Sequence, residues 1–339
     1  MLKVGYIGNG KSTNRYHVPF ALNHDRVQIK TIYARSPEKT EWDRIPDVAY
    51  TNELDDVMND EQIELVVVCT PVQTHYELAR KALERGKHVL VEKPFTTSKE
   101  EAQSLFQYAK EKNLVIQVYQ NRRYDSDFLT FKKVLDSGKL GDLLEVEMHY
   151  DYYRPETPNN TDEFIKHRSY LYGHGSHTLD QAISYFGNPD RVHYDVRQLL
   201  GPGRMNDYFD LDLYYDRLKV SIKSSFFRLK PRPSFIAYGK KGVFVKQTED
   251  RQEEHLKLFY LPKGHDDFGI DRPEHYGVLT YIDEEGVYRE EKVVSEKGDY
   301  SRVYEDVYQA IRHGKEKVVR DEETVKVMEL IEQGIQSCS

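Results

Sequence analysis

The sequence predicts a two-domain α/β chain, a doubly wound parallel sheet followed by an α+β domain. Three observations carry this expectation. The 339 residues are about twice a working domain of roughly 150 residues. From residue 1 to about 120, short apolar runs alternate with longer segments of helical period. After about residue 125 the pattern changes to tyrosine-rich strands.

The apolar runs at 4–7, 29–33, 65–69, 88–91 and 115–118 read as strands. Leu65-Val66-Val67-Val68-Cys69 has no alternation, as a parallel strand covered on both faces requires. The intervening segments have helical ends, such as Gly86 after a helix at 76–85. A helix at 128–137, stopped by Gly138, opens the second part. Strands follow at 143–153, 192–199, 208–215 and 218–227, then a tight hairpin at 238–243. Helices at 301–313 and 322–336 close the chain. The expected domains are 1–122 for dinucleotide binding and 123–339 for substrate binding and oligomerisation. The junction is expected to be packed, with no low-complexity linker, and a ligand cleft is expected there.

The 49 basic and 57 acidic residues give a net charge of −8 without a basic block, which argues against a nucleic-acid partner. No window approaches the roughly 18 apolar residues of a membrane span, and the N-terminus lacks the pattern of an export signal. No membrane partner is expected. Two cysteines, Cys69 and Cys338, make neither a disulfide framework nor a metal pattern, which fits a reducing cytosol. Most of the 26 tyrosines are expected in exposed sheet.

Gly8-Asn9-Gly10-Lys11-Ser12-Thr13 follows the first strand and opens a helical segment. Backbone amides at that point face a pyrophosphate. Thr13 stands where the third glycine of the dinucleotide fingerprint is expected. Gly5, Gly10, Lys11 and Ser12 also fit G-x-x-x-x-G-K-[ST], the phosphate loop of nucleoside triphosphatases. Against that reading, which stays as an alternative, Gly5 lies inside the first strand, and 65–69 is followed by Thr70-Pro71 instead of a metal-binding aspartate. At the end of the second strand, Arg35 and Ser36 suit a 2′-phosphate, where a ribose diol calls for a carboxylate. NADP(H) is therefore favoured over NAD(H). The alternative is a solvated arginine and a helix N-cap serine before Pro37.

The fourth strand runs into Glu92-Lys93-Pro94, which puts a lysine at the ligand-binding edge of a parallel sheet. The ordered set Gly8-x-Gly10, Thr70-Pro71-x-x-x-His75, Glu92-Lys93-Pro94, Asn121-Arg122-Arg123-Tyr124 and Gly173-His174-Gly175-Ser176-His177 resembles the glucose-fructose oxidoreductase, inositol dehydrogenase and rhizopine catabolism family (Gfo/Idh/MocA). The resemblance covers nearly the whole chain. The run from Tyr119 to Asp125 and Phe128-Leu129-Thr130-x-Lys132-Lys133 resemble the branch with NADP-dependent scyllo-inositol dehydrogenases and uncharacterised oxidoreductases.

The resemblance implies a Rossmann domain and an α/β domain with a large open, mostly antiparallel sheet. It also implies hydride transfer at a sugar or cyclitol carbon, and homodimers or homotetramers built through those sheets. Carried over to this chain, Gly8, Gly10, Lys11, Ser12 and Thr13 would hold the pyrophosphate, and Arg35 and Ser36 the 2′-phosphate. Thr70, Pro71, His75 and Asn121 would line the cofactor cleft, and Glu92 and Lys93 would sit by the nicotinamide. The family keeps an aspartate four residues before its catalytic histidine, His177 here. That place is Gly173. Either Lys93 and His177 must then suffice, or His174, the next residue, partly fills the gap, or the site has lost dehydrogenase chemistry.

Oxidising an alcohol sends a hydride to the cofactor and a proton to a base. Histidine starts near 6.5 and lysine near 10.4, so His177 is assigned the proton and Lys93 the developing alkoxide. The family view leans to lysine as the base. His167, His174, His177 and Asp180 can also be read as metal ligands, but Gly173 and Gly175 argue for a loop there, with Ser176 as a helix N-cap. No metal is expected. For a small polyhydroxylated substrate the candidates are Lys93, Arg122, Tyr153, Arg154, His174 and His177, with specificity in the segments 155–168 and 201–207. Structural tyrosines at a sheet edge are the alternative for 151–155. The expected activity is an NADP(H)-dependent oxidoreductase. The alternative is a dinucleotide-binding sensor or regulatory protein without turnover.

Overall fold

The computed structural model describes residues 1–39, 41–156, 166–201, 205–247 and 250–337. Cys338 and parts of the segments 155–168 and 201–207 lie outside the described residues. The chain divides into two compact units. The first comprises Met1–Asn121, Glu254–Phe268 and Tyr300–Met328, and the second Arg122–Glu253, Gly269–Asp299 and Glu329–Ser339.

The first unit runs β1 (Leu2–Ile7), α1 (Val18–Leu22), β2 (Val27–Tyr33), β3 (Ala49–Thr51), α2 (Asp55–Met58), β4 (Leu65–Val68), α3 (His75–Glu84), β5 (His88–Val91), α4 (Lys99–Glu111) and β6 (Ile116–Val118). All six strands are parallel, in the order β3-β2-β1-β4-β5-β6. The order reverses between β1 and β4, which opens a crevice at their carboxyl ends. Gly8 leaves β1 and Thr70-Pro71 leaves β4 at that point. Leu65 to Val68 are fully buried, as an unalternating run requires.

Gly5 pairs with Thr31 and Val66 inside β1. A Cβ there would lie 2.7 Å from Val57 Cγ1, so glycine lets α2 press onto the strand. A segment locked into two ladders cannot curl around a phosphate, and the triphosphatase reading ends there. Gly86, at φ +72°, ends α3 as expected. Ser98 caps α4 by accepting a hydrogen bond from the Glu101 amide at 3.2 Å.

The second unit runs α5 (Ser126–Asp136), β7 (Leu143–His149), α6 (Ser176–Phe186), β8 (Arg191–Arg197), β9 (Tyr208–Tyr215), β10 (Leu218–Ser225), β11 (Phe235–Gly239), β12 (Gly242–Lys246), α7 (Arg251–Lys257), β13 (Gly277–Ile282) and β14 (Tyr288–Val293). The last residues of α7 belong to the first unit. Eight strands form one sheet, β14-β13-β12-β11-β7-β10-β9-β8, antiparallel except where β7 meets β10. Alternation sorts its two faces. Val146, Met148, Leu211, Leu213, Val220 and Ile222 are buried on one. The other carries cross-strand pairs such as Lys219–Glu145 at 3.2 Å and Lys223–Asp210 at 3.5 Å.

Two helices follow, α8 (Ser301–His313), which belongs to the first unit, and α9 (Asp321–Gln336). Gly314, at φ +61°, ends α8. Tyr6, Tyr119, Tyr170, Tyr172, Tyr300 and Tyr304 are fully buried, whereas Tyr153, Tyr238 and Tyr288 are exposed. No helix among the described residues is long and apolar enough to cross a membrane.

Candidate active site

In the first unit the glycine loop is built by sterics. Gly8 has φ +112°, and a Cβ on it would lie 2.4 Å from the Cys69 carbonyl oxygen, so only glycine fits. Around Gly10 no atom lies within 4 Å of a Cβ position, which leaves the backbone open to a ligand. Thr13 fills the third-glycine place without blocking the loop. Its side chain is buried, and its hydroxyl donates to the Gly8 carbonyl at 2.8 Å, fastening the base of the turn. Lys11 and Arg35 are exposed and make no ion pair among the described residues. An open backbone flanked by exposed cations is what a dinucleotide phosphate requires. Ser36 opens a turn, with the Lys39 amide donating to its carbonyl at 3.0 Å, so it caps no helix.

Thr70 and Thr74 hydroxyls are 2.7 Å apart at the mouth of β4. His75 is buried, with Nε2 2.8 Å from the Thr70 carbonyl and Nδ1 3.0 Å from the Pro94 carbonyl. It thereby braces the loop after Lys93, with both ring nitrogens facing backbone carbonyls, to one of which the neutral ring donates. Burial lowers its basicity, against the pull of those carbonyls and of Glu92. The Lys93–Pro94 peptide is cis.

Glu92, at the end of β5, is buried. Oε1 accepts from the Ser12 hydroxyl and from His17 Nε2 at 3.1 Å, and Oε2 accepts from the Lys93 amide at 3.0 Å. Burial pushes this carboxyl up, but the His17 bond and charge, the Lys93 charge and the Ser12 bond outweigh it and hold it at about 2. His17 is fully buried, and its Nδ1 is 2.8 Å from the Tyr304 hydroxyl, which is 2.7 Å from that of Tyr6. The Tyr119 ring lies against the imidazole, tilted by 33°, with centroids 3.8 Å apart.

His17, Tyr304 and Tyr6 escape a motif search because their partners are far apart in sequence. One signal was available, a histidine at the mouth of the apolar run Val18-Pro19-Phe20-Ala21-Leu22.

In the second unit, the run after Asn121 is a knot of buried ion pairs. Asn121 is buried in a short 3-10 turn, Asn121–Tyr124. Arg122 donates to Asp125 Oδ2 at 2.8 Å, has Nη2 3.1 Å from Glu253 Oε1, and lies over the Tyr150 ring at 4.8 Å. Arg123 grips Asp180 with two bonds of 2.7 Å. Both oxygens of Asp180 are therefore engaged by a guanidinium. The Arg123–Asp180 pair anchors α6, whose first turn carries the buried His177.

The expected loop through Gly173 and Gly175 is corrected. Leu171–Gly175 form a π-helical turn that runs directly into α6, so Ser176 sits inside a continuous helical stretch and is not its N-cap. A Cβ on Gly175 would lie 2.5 Å from Leu171 Cδ1, so this glycine serves close packing. At Gly173 a Cβ would meet nothing within 4 Å.

His174 is ringed by Tyr170 at 4.6 Å, Tyr152 at 5.1 Å, Tyr150 at 5.6 Å and Phe226 at 6.0 Å between centroids. Arg154 covers the Tyr152 ring at 4.4 Å. Extended alternation puts Tyr152 in this cluster and leaves Tyr153 exposed, bridged to Phe227. His174, Arg154 and Tyr152 come together, while Arg122 is taken up by carboxylates.

Residues 2–120 match the family model described as "Oxidoreductase family, NAD-binding Rossmann fold", and residues 132–339 that described as "Oxidoreductase family, C-terminal alpha/beta domain". The chain is 44% identical over 341 residues to the uncharacterized oxidoreductase YhhX of Escherichia coli (strain K12), covering 100% of this chain and 97% of the relative. It is 35% identical over 337 residues to scyllo-inositol 2-dehydrogenase (NADP(+)) IolW of Bacillus subtilis (strain 168), covering 99% of this chain and 93% of that one. A crystal structure titled as a probable oxidoreductase yhhX superposes with a TM-score of 0.93 at 43% identity, covering 100% of this chain and 98% of that one.

Proposed function

The chain belongs to the Gfo/Idh/MocA oxidoreductase family, and from that premise we propose an NADP(H)-dependent dehydrogenase acting on a sugar, sugar derivative or cyclitol. Lys93, at the carboxyl end of β5 beside the buried, ionised Glu92, is the observation that carries the reading. The name of the Bacillus subtilis relative supports both the cyclitol class and NADP.

Gly8, Gly10, Lys11 and Thr13 would hold the pyrophosphate, and the exposed Arg35 and Ser36 the 2′-phosphate, where no carboxylate stands to favour a ribose diol. Ser12 serves the same loop through Glu92. Bound nicotinamide supplies the hydride acceptor in oxidation and the donor in reduction. Lys93 holds the reacting oxygen and stabilises the negative charge that develops on it. His177 takes the hydroxyl proton in oxidation and returns it in reduction. Aromatic faces at Tyr150 and Tyr152, with Arg154 and His174, suit a ring with C–H faces and hydroxyl edges. The two-cysteine composition supports a cytoplasmic location, and the charged face of the eight-stranded sheet a homo-oligomer.

Gly173, in place of the family's aspartate, favours a second reading, a dinucleotide-binding regulator without turnover. One experiment separates them: reduced-nicotinamide absorbance is followed with sugars, inositols and their keto forms, for wild type and Lys93→Ala. The dehydrogenase turns over at least one panel member, and Lys93→Ala loses about 10²- to 10³-fold in kcat. Turnover untouched by Lys93→Ala contradicts the assignment of this residue.

A further inference from the structure

With NADP(H) as the cofactor, the reading proposed above and on which this rests, we infer that Arg15 is a further binding residue for the 2′-phosphate, shared with Arg35, and that Phe259 is a positioning residue that holds the Arg15 guanidinium in place.

Phe259 is a conformational outlier. At the end of α7 the Tyr260 amide donates to the His255 carbonyl at 3.0 Å, and the Phe259 amide to the Leu256 carbonyl at 3.2 Å. In this helix-ending turn the residue after the cap is left-handed and usually glycine. Here it is Phe259, at φ +54°, a backbone that a bulky L side chain rarely adopts. The residue is 47% exposed, so burial of its ring offsets little of that strain. The ring instead touches two side chains of the same unit. The Arg15 guanidinium carbon lies over it, 5.0 Å from the centroid, and the Trp42 ring is 5.6 Å away.

Those two side chains come from the two loops that would flank an adenosine 2′-phosphate. Arg15 follows the glycine loop in the turn Thr13–His17, and the neighbouring Asn14 is tied back to the Gly10 carbonyl by its amide at 3.1 Å and its side-chain nitrogen at 3.0 Å. Trp42 follows Arg35 and Ser36 on the segment between β2 and β3. The loops adjoin where they leave the sheet, since the Gly8 amide donates to the Tyr33 carbonyl at 2.9 Å. Phe268 rests against Phe20 of α1, with centroids 5.9 Å apart, and fastens the segment bearing Phe259 to this side. Arg15 therefore belongs to the corner beside the carboxyl ends of β1 and β2, where dinucleotide sheets read the adenosine ribose.

Arg15 is half-buried and makes no ion pair among the described residues. Its Nε is buried without a hydrogen-bond acceptor. A buried donor left unmade is costly, and a phosphate supplies both the acceptor oxygens and the negative charge that a guanidinium fork fits. Contact with a ring face uses none of the N–H donors, so Phe259 can hold the guanidinium and leave its edge for a ligand. Were Arg15 only a prop for the ring, an apolar chain of similar length would serve as well.

The test is calorimetric titration of the whole protein with adenosine 2′,5′-bisphosphate and with adenosine 5′-monophosphate, which differ only in the 2′-phosphate. Wild type is compared with Arg15→Met, Arg15→Lys, Phe259→Gly and Arg35→Ala. Arg15→Met keeps an apolar chain against the ring, and should weaken the bisphosphate about tenfold while the monophosphate stays within about twofold. Arg15→Lys should recover part of the loss, because it restores the charge without the fork. Phe259→Gly suits the left-handed backbone, so it should melt close to wild type, yet weaken the bisphosphate about fivefold through lost preorganisation. Equal losses for the two ligands in Arg15→Met, or none for either, overturn the inference. A lower melting temperature in Phe259→Gly with the ratio of affinities unchanged reduces Phe259 to packing and overturns its role. If wild type binds the two ligands alike, or neither, the NADP(H) reading itself fails and the inference with it. A wild-type preference for the bisphosphate that survives Arg15→Met and is lost in Arg35→Ala leaves that reading standing and overturns the inference alone.

Discussion

At Gly173 one absent carboxylate separates this chain from the lysine, aspartate and histidine set that its family resemblance implies. The backbone there is helical, and a Cβ would meet nothing within 4 Å, so space does not exclude a side chain. Residue 173 lies four positions before His177, one helical turn away on the same face. Gly173→Asp is therefore expected to fold with no loss of stability, since aspartate ranks slightly above glycine as a helix former. It should raise kcat about tenfold by orienting the histidine. Thermal melts and steady-state kinetics check both, and an unchanged kcat in a folded variant means that this carboxylate is not what the site lacks. His75 teaches a different lesson at the same scale. It falls in the motif Thr70-Pro71-x-x-x-His75, and its ring nitrogens face the Thr70 and Pro94 carbonyls, so it also braces the loop after Lys93.

Among the elements, those with a strong local signal were legible in the sequence. Unalternating valines mark β4, alternation marks β9, and Gly86, Gly138 and Gly314 stop helices at positive φ. What was not legible depends on distant partners. β3 has three residues and no pattern of its own, and β14, Tyr-Arg-Glu-Glu-Lys-Val, is almost wholly exposed. The π-turn before α6 hides behind two glycines that resemble a loop. Tyr304 reaches His17 across 287 positions, which no motif spacing reveals.

Asp250 is buried, accepting from the Gln252 amide at 2.7 Å and from the Ser126 amide. Burial and the nearby Asp127 raise its carboxyl from 3.8 to about 7. The folded state then holds a proton that the unfolded state releases between pH 3.8 and about 7. Stability from this group is complete below that window and falls as pH rises through it. Urea denaturation at pH 5 and pH 8 should show wild type losing more midpoint than Asp250→Asn. Parallel losses in the two proteins would contradict the raised value.

The whole molecule joins a six-stranded sheet of order 3-2-1-4-5-6 to an eight-stranded, mostly antiparallel one. The first unit places its glycine loop and Thr70 at the switch point, where open parallel sheets bind ligands. The second unit spends its buried charge on anchoring α6 through Arg123 and Asp180. The outline of both units was readable from periodicity, and the tight turn after β1 from Gly8. The return of residues Tyr300–Met328 to the first unit was not, because helix α8 carries an ordinary amphipathic pattern that names no partner.

The proposed function requires this chain to hold NADP(H) through the exposed Arg35 and Ser36 for hydride transfer. It is tested most directly by equilibrium titration with NADPH and NADH, read by reduced-nicotinamide fluorescence, for wild type and Arg35→Ala. Wild type is expected to prefer NADPH by at least about tenfold, and Arg35→Ala to lose that preference while its affinity for NADH is kept, since a charge-assisted bond contributes about 1.5–3 kcal/mol. Equal or tighter binding of NADH by wild type, or no binding of either nucleotide, would contradict it.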